Sequence, residues 1–272
     1  MFLKFYGTRG SVPVSNQETK KYGGNTTCLY IESNSGDIIV VDAGTGIREL
    51  GNALIAQGKH KIRLLFSHYH WDHIQGFPFF SPIFSKDTEL QVFGASEEVT
   101  AEKALSYQMT TPYFPTGLKG LPAKIVFNDL KGTLNIGGIK IETIANNHPN
   151  HTLGFKFIEN NRSFAFLTDN EVRAQNGKTP YGKFVEFLQG VDLVIHDAQY
   201  TEEVYKTRVG WGHSTYQQVG QLVQDADVKE FMITHHDHSS SDKFIDKNIK
   251  LVRKKYPKLK IEAAAEGKSR RL

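Results

Sequence analysis

A single cysteine, Cys28, leaves no partner for an intramolecular disulfide and removes thiolates as the basis of any metal site. Long apolar runs are also missing. None approaches the ~20 residues that a membrane-crossing helix needs. Met1-Phe-Leu-Lys-Phe5 runs straight into an expected strand with no leader ahead of it, so a soluble, cytoplasmic protein that does not engage a membrane is expected. Charge of one sign is scarce as well: 33 Lys and Arg against 29 Asp and Glu give a formal charge of +4. Much of that excess falls in 247–260 and at the C-terminus, which reads as a solvated helix face and a free basic tail more than as a nucleic-acid groove. No low-complexity linker or internal repeat divides the chain, and 39% hydrophobic residues suffice for one large core. The expected organisation is one domain over 1–267 followed by the basic tail 268–272. What the chain does have is histidine: 11 residues, nearly all beside the motifs below.

The densest motif follows a β-prone run, Ile62 to Phe66, that stops at Ser67. After it comes His68-Tyr-His70-Trp-Asp72-His73, four potential ligands within six residues. At strand spacing His68 and His70 point the same way. A turn after them brings Asp72 and His73 to a second point close by. Imidazoles suit zinc, manganese or iron, and the carboxylate suits harder ions. The alternative is a histidine-rich surface loop, since short motifs also arise without function. A buried strand presenting four ligands together favours the metal site.

The rest of the chain repeats the arrangement of a strand ending in a polar residue. Strands are expected at 2–6, 27–32, 37–42, 90–94, 123–127 and 133–145, the last broken at Gly137-Gly138. A hairpin over 155–159 and 163–168 leads to Asp169, and strands at 191–195, 230–233 and 261–265 complete the set. Helices are expected at 47–57, 96–109, 216–226 and 241–255. Asp42 is placed to cap the first helix, Ser214 or Thr215 the third. Phenylalanines and prolines of 76–84 either wall a cleft or fill core. The irregular, aromatic stretch 109–120 is a candidate substrate-facing loop. Strand ends at 66, 145, 168, 195 and 233 each carry a polar residue, most economically to a common edge.

His68-x-His70-x-Asp72-His73 resembles the signature of the metallo-β-lactamase-fold hydrolases, and the likeness runs from Asp42 to Thr234-His235. It implies an α/β fold, a four-layer αββα sandwich in a single domain, with reactive side chains on one edge. It also implies a ligand set: His68, His70 and His148 for one ion, Asp72, His73 and His235 for the other, with Asp169 bridging both. His236 competes with His235 for the last place, and Asp42 supports the metal loop from behind. The implied cofactors are two divalent ions, Zn2+ foremost, with Mn2+ or Fe also compatible, which together supply a bridging hydroxide as nucleophile. Asp72 then counts as catalytic as well as ligating.

Gly212-His213-Ser-Thr215 resembles the His-Ser-Thr motif of the tRNA 3′-processing endonucleases and related phosphodiesterases of this fold. His196-Asp197-Ala-Gln199 resembles their His-Glu-Ala-Thr motif, with Asp197 standing for glutamate. The resemblance makes His213 the general acid that protonates a departing alkoxide and Asp197 the carboxylate that orients it. Only 149–168 separate His148 from Asp169, too short for the protruding arm of the tRNA-processing members. With the mild charge, this argues against structured tRNA and for a small, cyclic nucleotide or sugar phosphodiester, handled by a monomer or homodimer. The competing readings are a thioesterase or lactamase on the same metals and a non-catalytic metal-dependent sensor.

Overall fold

The computed structural model describes residues 1–95 and 97–272. Two seven-stranded sheets lie face to face. In spatial order the first contains β14 (Ser269–Arg271), β1 (Phe2–Gly7), β2 (Cys28–Glu32), β3 (Ile38–Val41), β4 (Lys61–Leu65), β5 (Glu89–Gly94) and β6 (Lys124–Asp129). The second contains β13 (Lys260–Ala263), β12 (Glu230–Thr234), β11 (Leu193–Asp197), β10 (Arg162–Leu167), β9 (Leu153–Glu159), β8 (Ile139–Ala145) and β7 (Leu134–Ile136). The helices are α1 (Ile47–Ala56), α2 (Trp71–Ile74), α3 (Ala101–Gln108), α4 (Tyr181–Leu188), α5 (Glu202–Tyr205), α6 (Tyr216–Asp225) and α7 (Asp242–Lys255).

Strand alternation explains the layering. In β3, Ile39 and Val41 face the other sheet, whereas Ile38 and Val40 pack outwards with Leu50 and Leu54 of α1. A strand buried on both faces reads as a continuous Val/Ile run, as this one does. The inter-sheet layer adds Phe155, Phe157, Phe164 and Phe166, with the rings of Phe157 and Phe164 stacked at 4.7 Å. The outer face of the second sheet is covered by Phe184 and Leu188 of α4, Val219 and Val223 of α6, and Ile245 and Ile249 of α7. The expected αββα sandwich is the fold found.

Directionality puts the site on one edge. β3 to β6 run parallel, as do β10 to β13, while β8 and β10 both lie antiparallel to β9 and so share a direction. The carboxyl ends of β8, β10, β11 and β12 therefore open on the same side, where ligands gather in parallel sheets.

Three expectations change. The residues read as a free basic tail instead form β14, which pairs with β1 (Phe2 opposite Arg271), while Arg270 reaches Glu230 at 3.1 Å. Backbone pairing and that ion pair hold a segment whose composition alone suggests a solvated end. α3 begins after its cap at Thr100, and Ser96, proposed as its opening residue, lies outside the described residues. Asp42 does not cap α1, whose N-cap is Gly46 without a side-chain bond. Helix α4, not anticipated, follows Pro180 and buries Phe184 and Leu188 four residues apart. No helix among the described residues is long and apolar enough to cross a membrane.

Candidate metal centre

Each imidazole of the first motif is held by the nitrogen that faces away from the cluster. Asp42 accepts from the Ser67 amide and hydroxyl, both at 2.8 Å, and from Nδ1–H of His73 at 2.8 Å. His68 Nδ1 lies 3.1 Å from the same Ser67 hydroxyl. His148 donates through Nδ1 to the Gly212 carbonyl at 3.2 Å. His70 is turned the other way round: its Nε2 is 2.7 Å from Asn150 Oδ1, while Asn150 Nδ2 donates to Glu98 at 3.0 Å. The Asn150 amide is thereby oriented by the carboxylate, which makes His70 Nε2 the donor and Nδ1 the lone pair.

The remaining nitrogens converge. His148 Nε2 lies 3.2 Å from His70 Nδ1, and His68 Nε2 is buried without a hydrogen-bond partner. A few ångströms away, Asp72 Oδ2 stands 3.1 Å from His235 Nε2 and 3.4 Å from His73 Nε2. Asp169 lies between the groups, with Oδ1 3.9 Å from His68 and Oδ2 3.2 Å from His73 and 3.4 Å from His235. Ligand atoms of His68, His70 and His148, and of Asp72, His73, Asp169 and His235, fall within 4.8 Å of one another in each group. In the group of His68, His70 and His148 lone pairs meet head-on with no donor between them, and in the other two carboxylates face two imidazoles, both arrangements that fit a cation.

Electrostatics divides the two groups. Burial pushes His68 well below the usual imidazole range and His148 down to about 4, so both are neutral, the form that binds metal. Burial also opposes charge on His73 and His235, but Asp72 and Asp169 more than offset it and raise both. In turn the two imidazoles hold the buried carboxyls of Asp72 and Asp169 well below their ordinary values, against the effect of desolvation.

Backbone strain collects here. Asp42, Asp169 and His235 have φ of 63°, 60° and 51°, and Ser11, whose amide donates to Asp72 at 2.7 Å, has 68°. Left-handed non-glycine residues cost energy and persist where surroundings over-determine them. Gly212 (φ 83°) is required for another reason, because a Cβ there would sit 2.0 Å from His148 Nδ1.

His213 and Asp197 are brought to the same place. His213 stacks on His235 at 5.3 Å, its ring lies 5.5 Å from that of His148, and its Nδ1 faces Asp197 Oδ2 at 3.5 Å. Asp197 also accepts from the amides of Asn170 (3.0 Å) and Ser214 (3.2 Å). Burial works against its charge, but His196 and His213 hold the carboxyl well below the usual range. Thr215 is the residue that caps α6, in a capping box with Gln218, and Ser214 instead pins Asn170 and Val172. His236 points away, with Nε2 donating to the Ala264 carbonyl at 3.0 Å, so His235 is the one that joins the cluster. His151 lies aside, paired with Glu97 at 2.8 Å. In the aromatic stretch Phe77 and Phe80 are core, while Phe79 is exposed and meets Phe114 of the 109–120 loop edge-on at 5.8 Å.

Two supports had no sequence signal of their own. Glu171, buried, accepts from the amides of Gly210 and Gly212 and from Tyr205. Arg9, fully buried, donates to the carbonyls of Gly23, Asp237 and Ser240 and so ties the N-terminal loop to the one after His235.

Two sheets in an αββα sandwich, with a His/Asp cluster at the edge where their strands end, define a metal-dependent hydrolase of the metallo-β-lactamase fold. The chain belongs to the family described as the beta-lactamase superfamily domain, whose model matches residues 38–236. It is similar to a ribonuclease Z of Archaeoglobus fulgidus, 20% identical over 277 residues and 86% of each protein. Among solved structures, a diphosphatase from the PhnP family matches with TM-score 0.71 at 17% identity, covering 100% of this chain and 97% of that one. A human tRNase Z, short form, matches with TM-score 0.66 at 16% identity, covering 100% and 99%. These relatives overturn the expectation that structured tRNA is a poor partner. That expectation rested on a missing arm and a mild net charge, but net charge averages over the surface instead of reporting the local field.

Proposed function

We propose that the chain hydrolyses phosphodiester bonds, with His213 as the general acid. The observation that carries this is His213 itself: an imidazole fixed among the ligand groups, with a buried carboxylate behind its Nδ1. In this reading His68, His70 and His148 hold one divalent ion, Asp72, His73 and His235 the other, and Asp169 serves both. Zinc suits so imidazole-rich a set, and manganese or iron remains compatible. When bound, the pair supplies Lewis-acid polarisation of the phosphoryl group and a nucleophile at neutral pH. The protein groups do the rest. Asp197 fixes the His213 ring and stabilises its charged form, and Nε2 delivers the proton to the leaving oxygen as the P–O bond breaks. An alkoxide needs that proton, whereas a thiolate leaving group has less use for it. The gap of 3.5 Å is longer than a formed hydrogen bond, as catalytic contacts often are before substrate binds. The relatives keep tRNA precursors among the substrates to be assayed.

His213→Ala tests the assignment. Metal content should hold, the rate with an alkyl leaving group should fall by about 10²–10⁴, and that with p-nitrophenolate should fall much less. A second reading has its own observation, since ligand atoms of His148, Asp169 and His213 also lie within 4.8 Å of one another. If metal is lost from the variant, His213 is a ligand and the general-acid role is withdrawn.

A further inference from the structure

Beside the metal centre, on the side of His148, lies a cavity of about 410 Å³ whose occupant nothing above assigns. Its inner wall is His148, Pro149 and Gly212, so it opens directly off the ligand that borders His213. Its outer wall is the loop 174–178. We propose that this cavity binds the nucleoside attached to the scissile phosphate, that Gln175 and Asn176 determine that specificity, and that Lys178 serves the phosphate. The proposal rests on the phosphodiesterase reading and extends it to the part of the substrate that is not cleaved.

Four observations converge on it. The volume lies in the lower range of small-ligand pockets, about 300–1,000 Å³, enough for one nucleoside, whether free or at the end of a longer chain. The base of the cavity is fixed. Asn147 accepts from Thr179 N at 2.9 Å and donates to the carbonyls of Glu171 and Thr179, and a Cβ on Gly177 would lie 2.5 Å from that amide. The opposite wall is fixed by Glu171, which holds Gly210 and Gly212 through their amides.

Against these fixed walls the loop presents polar ends with nothing to bind. The side chains of Gln175 and Asn176 are exposed and make no hydrogen bond among the described residues. Neutral amides that both donate and accept suit sugar hydroxyls and base edges, which present donors and acceptors together. Lys178 provides the one cation of the lining, suited to the phosphate oxygens not engaged at the metals. In sequence between the lining residues Gly210 and Gly212 stands Trp211, 53% exposed, with the Arg208 guanidinium over its ring at 4.0 Å. An exposed indole that close in the chain to the lining offers a stacking surface for a base.

The test compares two esters that differ only in the nucleoside, p-nitrophenyl thymidine 5′-phosphate and methyl p-nitrophenyl phosphate, on metal-loaded protein. Wild type should favour the nucleoside ester in kcat/KM. In Gln175→Ala and Asn176→Ala the ratio should drop by about threefold to tenfold each, mainly through KM, the size of a neutral hydrogen bond. Trp211→Ala should lose a comparable or larger factor. Ala174→Phe, which fills the cavity from a half-buried wall position, should bring the ratio towards one by a different route. An unchanged ratio in all four variants overturns the cavity assignment while leaving the phosphodiesterase reading in place. Hydrolysis of neither ester by wild type strikes the parent reading, and this one with it.

Discussion

Asp42 shows how much of a metal site lies behind its ligands. One carboxylate receives the Ser67 amide, the Ser67 hydroxyl and His73 Nδ1, and so aims His73 and, through Ser67, His68. Losing such support costs about 10–100-fold in metal affinity in comparable sites. Asp42→Asn is the suitable variant, because asparagine tolerates the left-handed backbone (φ 63°) but cannot match the charge or accept all three bonds. Competition with a chromophoric chelator should show weakening in that range, and unchanged affinity would mean that the ligands are held by packing alone. Asn150→Ala makes the complementary case for His70. Its contacts are solvent-exposed, so its effect should be smaller and confined to the group containing His68 and His148.

At the level of elements, the strand ends that carry the His/Asp cluster were partly legible locally, as an apolar run followed closely by a histidine or aspartate, but beyond the first motif the roles came from the likeness to the family. β4 before His68, β10 before Asp169 and β12 before His235 follow that rule, whereas β8 alternates, and His148, three residues beyond its end, was placed by the likeness to the family. The supports were not legible, because each joins distant stretches. Ser11 meets Asp72 across 61 positions and Glu171 meets Gly212 across 41, and no local periodicity encodes either contact. β14 was missed for a related reason, since edge pairing to β1 depends on backbone groups that composition does not reveal. Glu171 provides a graded test of the loop that carries His213. Tyr205→Phe removes one of its bonds and should cost about 1 kcal/mol in denaturant unfolding. Glu171→Gln leaves a buried amide facing backbone donors and should cost about 1.5–3 kcal/mol, with a rate loss on alkoxide substrates from a loosened Gly212-His213. Equal stability in the two variants would show that the carboxylate does not hold the loop.

For the molecule as a whole, stability above about pH 6.5 should depend on pH with opposite signs in its metal-free and metal-loaded forms. His73 and His235 have raised values in the folded chain, so the stability they contribute is fully present below the unfolded value of 6.5 and is lost as pH rises through their folded values. His68, His148 and His236 behave the other way. Burial keeps them neutral, with His148 at about 4 and His236 at about 3, so between pH 6.5 and those values only the unfolded chain takes up their protons. Each such group costs about 1.4 kcal/mol per pH unit across that window. Metal-free protein should therefore be most stable near pH 6.5 and weaken on both sides. Bound ions change the alkaline limb. Binding requires neutral imidazoles, so it expels the protons that Asp72 and Asp169 keep on His73 and His235, and metal affinity grows as pH rises. Because ligand that binds only the folded state adds stability in proportion to the logarithm of its concentration over its dissociation constant, the loaded form should gain stability from pH 6.5 upwards while the stripped form loses it. Thermal melts of chelator-treated and zinc-loaded protein from about pH 5 to about pH 9 read both limbs. Calorimetry in buffers of different ionisation enthalpy should show protons released on metal binding near neutral pH, fewer of them at higher pH. Parallel curves for the two forms above pH 7, or metal uptake without proton release, would falsify the picture of a site that holds protons where it is built to hold ions.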